Sequence, residues 1–143
     1  GLSGDGLEGI REDLGYCPQD DVLLSDLTPK EHLHLFSGLR GLSGGGLHEE
    51  VARLTDTFGL RDHYRTPVKD LSGGLKRRLS VAISLIGSPS LVVLDEPSSG
   101  MDAEGRRSMW EALRDARGGR VLIVSTHSME EADAIADRIG VVV

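Results

Sequence analysis

The chain has 143 residues, enough for one domain with a sizeable core. Its formal net charge of −7 argues against a broad nucleic-acid surface, so no nucleic-acid partner is expected. Cys17 is the only cysteine, which excludes an internal disulfide, and the apolar runs are too short to span a bilayer.

The first segment contains one predicted strand. Residues 1–9 are rich in glycine and lack periodicity, so they are predicted to be a loop or the cut end of a longer domain. A short strand is predicted to end at Pro18, within the stretch Gly15–Gln19. Gln19 then lies in a loop, where its amide could bind a metal or water; the alternative is an ordinary solvated side chain.

Two amphipathic helices are predicted next. Thr28 and Glu31 form a capping box around Pro29, which favours a helix over 29–40. After a flexible glycine-rich connection, a second helix is predicted over 47–58.

Histidines in the first of these helices are not predicted to bind a metal. His32 and His34 point to different faces, so both are interpreted as surface or boundary residues.

A glycine-rich turn precedes the next helix, with the sequence Leu71-Ser72-Gly73-Gly74. Exposed N–H groups and the helix dipole favour an anion at such a helix start. The basic run Lys76–Arg78 is expected to strengthen the positive potential. The alternative is a serine-capped helix with a basic first turn.

The apolar run Leu91–Leu94 ends in two carboxylates, Asp95 and Glu96. The run is typical of a parallel strand that is buried on both faces, with the carboxylates at its carboxyl end. Because side chains alternate along a strand, the two carboxylates are expected to face different partners. One could hold Mg²⁺ through water while the other polarises an attacking water; the alternative is a plain acidic turn.

The following elements are predicted to complete a parallel sheet. A helix over 103–116 is long enough for a right-handed crossover to a strand over 121–125. That strand would bring His127 to the same edge as Asp95, where its imidazole could donate to a phosphate oxygen. A solitary histidine after a strand is alternatively a structural residue.

The last elements are a helix and a strand. Ser128 and Glu131 form a second predicted capping box, which begins a helix that continues to about Asp137. The apolar run at residues 139–143 is predicted to be a final strand.

Together these motifs resemble the nucleotide-binding domain of an ABC transporter, over about residues 10–143. In chain order they resemble its Q-loop, signature motif, Walker B strand with catalytic glutamate, D-loop and switch histidine, which correspond here to Gln19, Leu71-Ser72-Gly73-Gly74, Leu91 to Glu96, Asp102 and His127. The amino-acid sequences at residues 15–19, 71–80 and 125–133 are most similar to those of the A subfamily, whose members move lipids.

The resemblance implies an α/β fold of the P-loop NTPase type. A mainly parallel sheet with flanking helices and a small helical subdomain is expected, with the N-terminal part of the domain missing. The expected divisions are a Q-loop region at 10–27, the helical subdomain at 28–70, and the remaining core at 71–143.

The resemblance also implies roles for the residues that face the domain's own nucleotide, ATP with Mg²⁺. Asp95 and Gln19 would contact the metal or its water, and Glu96 would polarise the attacking water. His127 would contact the γ-phosphate.

Other residues would act on ATP that is bound to a second nucleotide-binding domain. The signature residues, Leu71, Ser72, Gly73 and Gly74, would close over that nucleotide, and Asp102 would lie along the interface. The further expected partners are the transmembrane domains of the same transporter, at the cytoplasmic face of a membrane.

Two departures from the family pattern matter. The sequence contains no Gly-x-x-x-x-Gly-Lys-Ser/Thr loop (the Walker A motif), and Leu75 stands where many members carry glutamine. ATP hydrolysis is therefore expected of a full-length protein, while the chain alone is expected to be inactive.

Two alternatives come from other functional classes. One is a soluble ABC-type ATPase of translation or repair. A repair protein would place a long coiled coil between Gln19 and Leu71, but only about fifty residues without heptads intervene. The other is a non-catalytic dimerisation module, against which the presence of both Glu96 and His127 argues.

Overall fold

A computed structural model of the chain describes residues 13–141. This part folds into strands and α-helices, with single-turn 3₁₀ helices at Arg61–His63 and Val68–Asp70. In chain order the main elements are β1 (Leu14–Cys17), α1 (Pro29–Leu39), α2 (Gly44–Thr57), α3 (Gly73–Ser84), β2 (Leu91–Asp95), α4 (Ala103–Ala116), β3 (Val121–Ser125) and α5 (Met129–Ile135). Within residues 13–141, no helix combines the length and apolar character needed to cross a membrane.

The strands form one parallel sheet in the order β1-β2-β3. Leu91 pairs with Leu14 on one side and with Val121 on the other. Helix α4 connects β2 to β3, as the crossover prediction requires. Because the strands are parallel, the residues that follow them meet at one edge of the sheet, and the predicted α/β fold is confirmed.

The two faces of the sheet differ in burial. Cys17, Val92 and Leu94 lie in the core, whereas Tyr16 is 58% exposed and Ile123 is 52% exposed on the other face. Leu91 and Val93 of β2 lie on that second face and are only partly buried, so the predicted burial of β2 on both faces is incomplete within residues 13–141. The reason is that the core cluster of residues 13–141 packs against only one face.

Helix α3 runs antiparallel to β1 at close range. A Cβ added to Gly15 would overlap the carbonyl oxygen of Ser84, so only glycine permits this approach. At the other end of the helix, the Arg77 side chain contacts the Pro18 carbonyl just after β1. The N-terminus of α3 therefore lies near the carboxyl edge of the sheet.

Helix α1 begins with the predicted capping box. The Thr28 N–H donates to Glu31 Oε2 at 2.8 Å, and the Glu31 N–H donates to Thr28 Oγ1 at 3.2 Å. These hydrogen bonds to Thr28 hold the pKa of Glu31 below its ordinary value.

Helices α1 and α2 pack on each other, and their buried residues Leu33 and Leu54 belong to the same core cluster as Val92. Helix α2 begins at Gly44 instead of residue 47, so the glycines predicted as a flexible connection form its first turn. Ser43 has the extended backbone of an N-cap, and a first turn needs no buried side chain. The separation of residues 28–70 as a subdomain stays a prediction.

His32 corrects another interpretation, because it is fully buried. Its Nδ1 lies 2.9 Å from the Thr28 carbonyl, and its Nε2 accepts from the Leu24 N–H at 2.9 Å. Both ring nitrogens therefore serve the packing of α1 against the preceding loop. His34 has a hydrogen bond from Nδ1 to the Lys30 carbonyl within its own helix.

The end of the described chain differs from the prediction. Helix α5 ends at Ile135 and not near Asp137, because Ala136 has an extended backbone. Residues 139–141 form no strand, so the predicted strand over 139–143 is wrong there, and residues 142–143 lie outside the described part. An apolar run becomes a strand only where a neighbour supplies hydrogen bonds, and no strand within residues 13–141 pairs with it.

Candidate functional site

Polar side chains from β2 and β3 meet at the carboxyl edge of the sheet. Asp95 pairs in register with Ser125, and the Ser125 hydroxyl donates to Asp95 Oδ1. Glu96 Oε1 accepts from the His127 N–H at 3.0 Å and lies 2.9 Å from His127 Nδ1. The predictions that Asp95 and His127 share one edge, and that the two carboxylates face different partners, therefore agree with the geometry.

Exposure differs sharply within this pair of contacts. The Glu96 side chain is 16% exposed, while the His127 side chain is 83% exposed. The Glu96 carboxylate is thus mostly covered by protein atoms, whereas the His127 imidazole is mostly exposed to solvent.

Glu96 adopts a left-handed backbone with a φ of 50°, which is rare outside glycine. Such a conformation costs about 1–2 kcal/mol for a residue with a Cβ. Three hydrogen bonds hold it: the Glu96 N–H donates to the Ser125 carbonyl (3.0 Å), and the Glu96 carbonyl accepts from the Ser99 N–H (3.1 Å) and from Arg77 Nη2 (3.2 Å). A strained residue that is held in this way is characteristic of functional sites.

Arg77 joins this edge to the loop after β1. Its Nη1 donates to the Pro18 carbonyl at 2.6 Å and to Asp21 Oδ1 at 3.1 Å. Its Nη2 donates to the carbonyl oxygens of Asp95 and Glu96. The side chain is 4% exposed, so this cation is paired and buried.

Gln19 follows Pro18 directly and is exposed. Because β1 and β2 are parallel with Cys17 opposite Leu94, Gln19 lies at the same edge as the carboxylates. No described contact between residues 13 and 141 joins the Gln19 side chain to Asp95, so its predicted role at the metal stays a prediction.

The glycine-rich turn forms the start of α3. Ser72 is its N-cap, and its hydroxyl accepts from the Leu75 N–H at 3.3 Å. A Cβ on Gly73 would meet nothing within 4 Å, and one on Gly74 would only reach Met101 Cγ at 4.0 Å. Packing among residues 13–141 therefore requires neither glycine, whereas Leu71 is buried in the core.

Asp102 caps the next helix. Its Oδ1 accepts from the Gly105 N–H at 2.7 Å at the start of α4. The described contacts of residues 13–141 bring neither Asp102 nor the Ser72 turn to Asp95 and Glu96, and their action on a second domain stays a prediction.

Glu131 supports the loop that carries His127. Its Oε1 accepts from the Trp110 Nε1–H at 3.1 Å, and Glu131 is 1% exposed. The predicted second capping box is therefore only half formed: Ser128 Oγ accepts from the Glu131 N–H, but the Glu131 carboxylate binds the indole instead. Helices α4 and α5 are thereby joined behind the edge.

Cys17 lies beneath the same edge. Burial raises the pKa of its thiol to about 11; the positive charge of Arg77 opposes this shift, and the carboxylates of Asp21 and Asp95 add to it. The thiol therefore stays protonated at neutral pH and is not a nucleophile.

Sequence reasoning missed the role of Arg77. The prediction that Arg77 strengthens the local positive potential did not anticipate that its side chain is buried and bound to carbonyl and carboxylate oxygens. Ser80 and Ser84 lie on the same side of the helix and are buried in the structure, but as polar residues they gave no apolar pattern in the sequence.

The oxygen atoms at the edge suit a hard cation. The Ser125 hydroxyl binds Asp95 Oδ1, so Asp95 Oδ2 can serve as a metal or water ligand. Gln19 carries an amide oxygen on the adjoining loop. Carboxylate, amide and water oxygens are the ligands that Mg²⁺ prefers.

Comparison with known proteins gives consistent results. The family model described as "ABC transporter" matches residues 2–99. "ABC transporter A family member 9" of Arabidopsis thaliana is 46% identical over 136 residues, which are 95% of this chain and 14% of that protein. "Phospholipid-transporting ATPase ABCA3" of Rattus norvegicus is 46% identical over 92% of this chain and 8% of that protein. "ABC-type organic anion transporter ABCA8B" of Mus musculus is 42% identical over 96% of this chain and 9% of that protein. The chain thus spans less than a sixth of the length of these relatives.

Proposed function

Because this chain belongs to the ABC transporter family, we propose that it forms part of an ATP-binding and hydrolysing domain that drives transport of a lipid across a membrane. In this proposal the domain lies at the cytoplasmic face, attached to transmembrane domains. ATP joins it to a second nucleotide-binding domain, and hydrolysis releases the pair.

The observation that carries the proposal is the contact between Glu96 and His127 beside Asp95. Glu96 Oε1 is engaged twice by His127, which leaves Oε2 to accept a proton from water. The left-handed backbone of Glu96 aims this carboxylate, and the hydrogen bonds to its main chain keep it there. A carboxylate fixed in this manner suits a general base.

Asp95 has a separate task. The Ser125 hydroxyl engages Oδ1, so Oδ2 is the oxygen that would hold a water of Mg²⁺. When bound, Mg²⁺ would neutralise charge that develops on the phosphates. Gln19, exposed on the neighbouring loop, would contact the same region and report it to the transmembrane part.

His127 would contact the γ-phosphate. Its Nδ1 faces Glu96, so Nε2 is the nitrogen that remains for a phosphate oxygen.

The Ser72–Gly74 turn would act on the nucleotide of the partner domain. Neither glycine is required by contacts with the described part of the chain, and both offer main-chain N–H groups at a helix N-terminus. Asp102 would lie along the interface between the domains, where its helix start is exposed.

The most specific part of the proposal is that the transported substrate is a lipid. The names of the relatives include a phospholipid transporter and an organic anion transporter at similar identity. ATP turnover of the full-length protein should rise with phospholipid and not with an organic anion. The reverse result would replace the lipid in this proposal by an organic anion.

The main test compares three variants in the full-length protein. Glu96→Gln should retain Mg-ATP affinity, lower turnover by roughly 10²–10⁴-fold, and accumulate an ATP-bound dimer. Asp95→Asn should weaken Mg-ATP binding, and Ser72→Ala should weaken ATP-dependent dimerisation alone. Glu111→Gln, exposed on α4, is the control that should change nothing. Equal loss of affinity in Glu96→Gln and Asp95→Asn, with no dimer, would overturn the assignment.

A further inference from the structure

Arg77 contacts main-chain atoms of two separate loops at once. Its Nη1 binds the Pro18 carbonyl and the Asp21 carboxylate on the loop that carries Gln19. Its Nη2 binds the carbonyls of Asp95 and Glu96. All four terminal N–H donors of the guanidinium are therefore used, two on each loop.

The side chain reaches these loops from a third segment. Arg77 lies in the second turn of α3, whose first residues are the Ser72 turn. Its Nε is buried, and no acceptor within residues 13–141 reaches it. An unpaired buried donor is unfavourable, so the contacts that determine the placement of this side chain are those of the terminal fork.

These contacts bear on the backbone geometry of the predicted general base. Glu96 holds a left-handed φ of 50°, and Arg77 Nη2 is one of the donors to its carbonyl. A bound carbonyl restricts rotation of the adjoining peptide, so Arg77 helps to hold the strained conformation.

We propose that Arg77 is a positioning residue that holds the Gln19 loop and the Asp95–Glu96 turn in one fixed arrangement. This inference rests on the proposed function, because it assigns the hydrolytic consequence to those two loops. The guanidinium of Arg77 is bound to protein oxygens, so Arg77 would act through these loops and not on the nucleotide itself. It acts by fixing the carboxylate of Glu96 relative to the loop that would sense the nucleotide.

Lysine could not replace this arrangement. Its ammonium is a point donor on a flexible chain, while the planar guanidinium presents two pairs of donors in a fixed fork. Arg77→Lys should therefore hold one loop and release the other. Arg77→Met fills similar volume and holds neither.

The first measurement is hydrogen exchange in this chain, which needs no nucleotide. Arg77→Met should raise exchange at residues 19–24 and 96–101 together, and Arg77→Lys should raise one segment more than the other. Asp21→Ala, whose side chain is 25% exposed, should loosen residues 19–24 alone and keeps the buried cation. Arg114→Met is the matched control, because Arg114 is exposed on α4.

The second measurement is ATP turnover by the full-length protein at saturating Mg-ATP. Arg77→Met should lower kcat by roughly 10²-fold, as misplacement by about 1 Å can, with KM and nucleotide affinity nearly unchanged. Arg77→Lys should recover part of the loss, and Arg114→Met should match the wild type.

The outcomes separate the two proposals. Unchanged exchange at both segments in Arg77→Met would overturn the linkage. Raised exchange with kcat equal to the wild type would reduce Arg77 to a structural residue and overturn the positioning role. If the wild-type protein itself hydrolysed no ATP, the proposed function would fail, while the exchange data would still decide the linkage.

Discussion

His127 approaches Glu96 with two donors, its main-chain N–H at 3.0 Å and its Nδ1 at 2.9 Å from the same carboxylate oxygen. His127→Ala removes the ring but keeps the N–H, so Glu96 should lose half of its support. We expect turnover in the full-length protein to fall by roughly 10²-fold with nucleotide affinity retained. His63→Ala, an exposed histidine, is the control. Equal loss of affinity and turnover would contradict this role.

The isolated 143-residue chain should bind Mg-ATP weakly. It contains no Gly-x-x-x-x-Gly-Lys-Ser/Thr loop, whose N–H groups and lysine cradle phosphates, and Asp95 and Glu96 repel a triphosphate without Mg²⁺. Titration calorimetry should give a Kd weaker than about 1 mM. Low-micromolar affinity would show a phosphate site among the residues present.

Cys17 should make stability depend on pH above neutrality. Burial raises its pKa from the ordinary value of 9.0 to about 11, so the unfolded chain loses this proton at a lower pH than the folded chain does. The free energy of unfolding should therefore be unaffected by Cys17 below about pH 9 and decrease between pH 9 and 11. Urea unfolding of the wild type and of Cys17→Ala measures the difference. Parallel pH profiles for the two proteins would contradict the prediction.

The hydrogen bond from the Trp110 indole to the Glu131 carboxylate should stabilise the fold, because Glu131 supplies the acceptor for a buried N–H. Glu131→Leu leaves a buried indole N–H without a partner, which costs about 1–3 kcal/mol in the free energy of unfolding. Glu131→Gln keeps an acceptor oxygen and should cost less. Urea unfolding tests this order, with Glu130→Leu as the exposed control. Equal stability of the two Glu131 variants would show that the bond contributes nothing.

Local patterns predicted much of the fold. The residues around Pro29 carry helix-start chemistry, and the run at 91–95 carries the apolar pattern of a strand, so both elements form where expected. The position of Asp95 and His127 at the same edge of the sheet followed from a general rule, that neighbouring parallel strands end at one edge.

Features that depend on a distant partner could not be predicted. The left-handed φ of Glu96 reflects a hydrogen bond to the Ser125 carbonyl and one from Arg77, which no local pattern encodes. The burial of His32 depends on its hydrogen bond from the Leu24 N–H. The Glu131 carboxylate binds the Trp110 indole instead of capping its own helix, because the two helices pack together. Periodicity reports which face of an element is apolar, but it does not report what covers that face.

The sheet, which the core covers on one face only, has a consequence for work with the purified chain. Tyr16, Val121 and Ile123 leave apolar surface on one face, and β3 is an edge strand within residues 13–141. Such a surface and edge favour aggregation between copies. The net charge of −7 opposes this association through repulsion, which salt screens over about 10 Å at 0.1 M. Dilute, low-salt buffer is therefore the condition in which the monomer should persist longest.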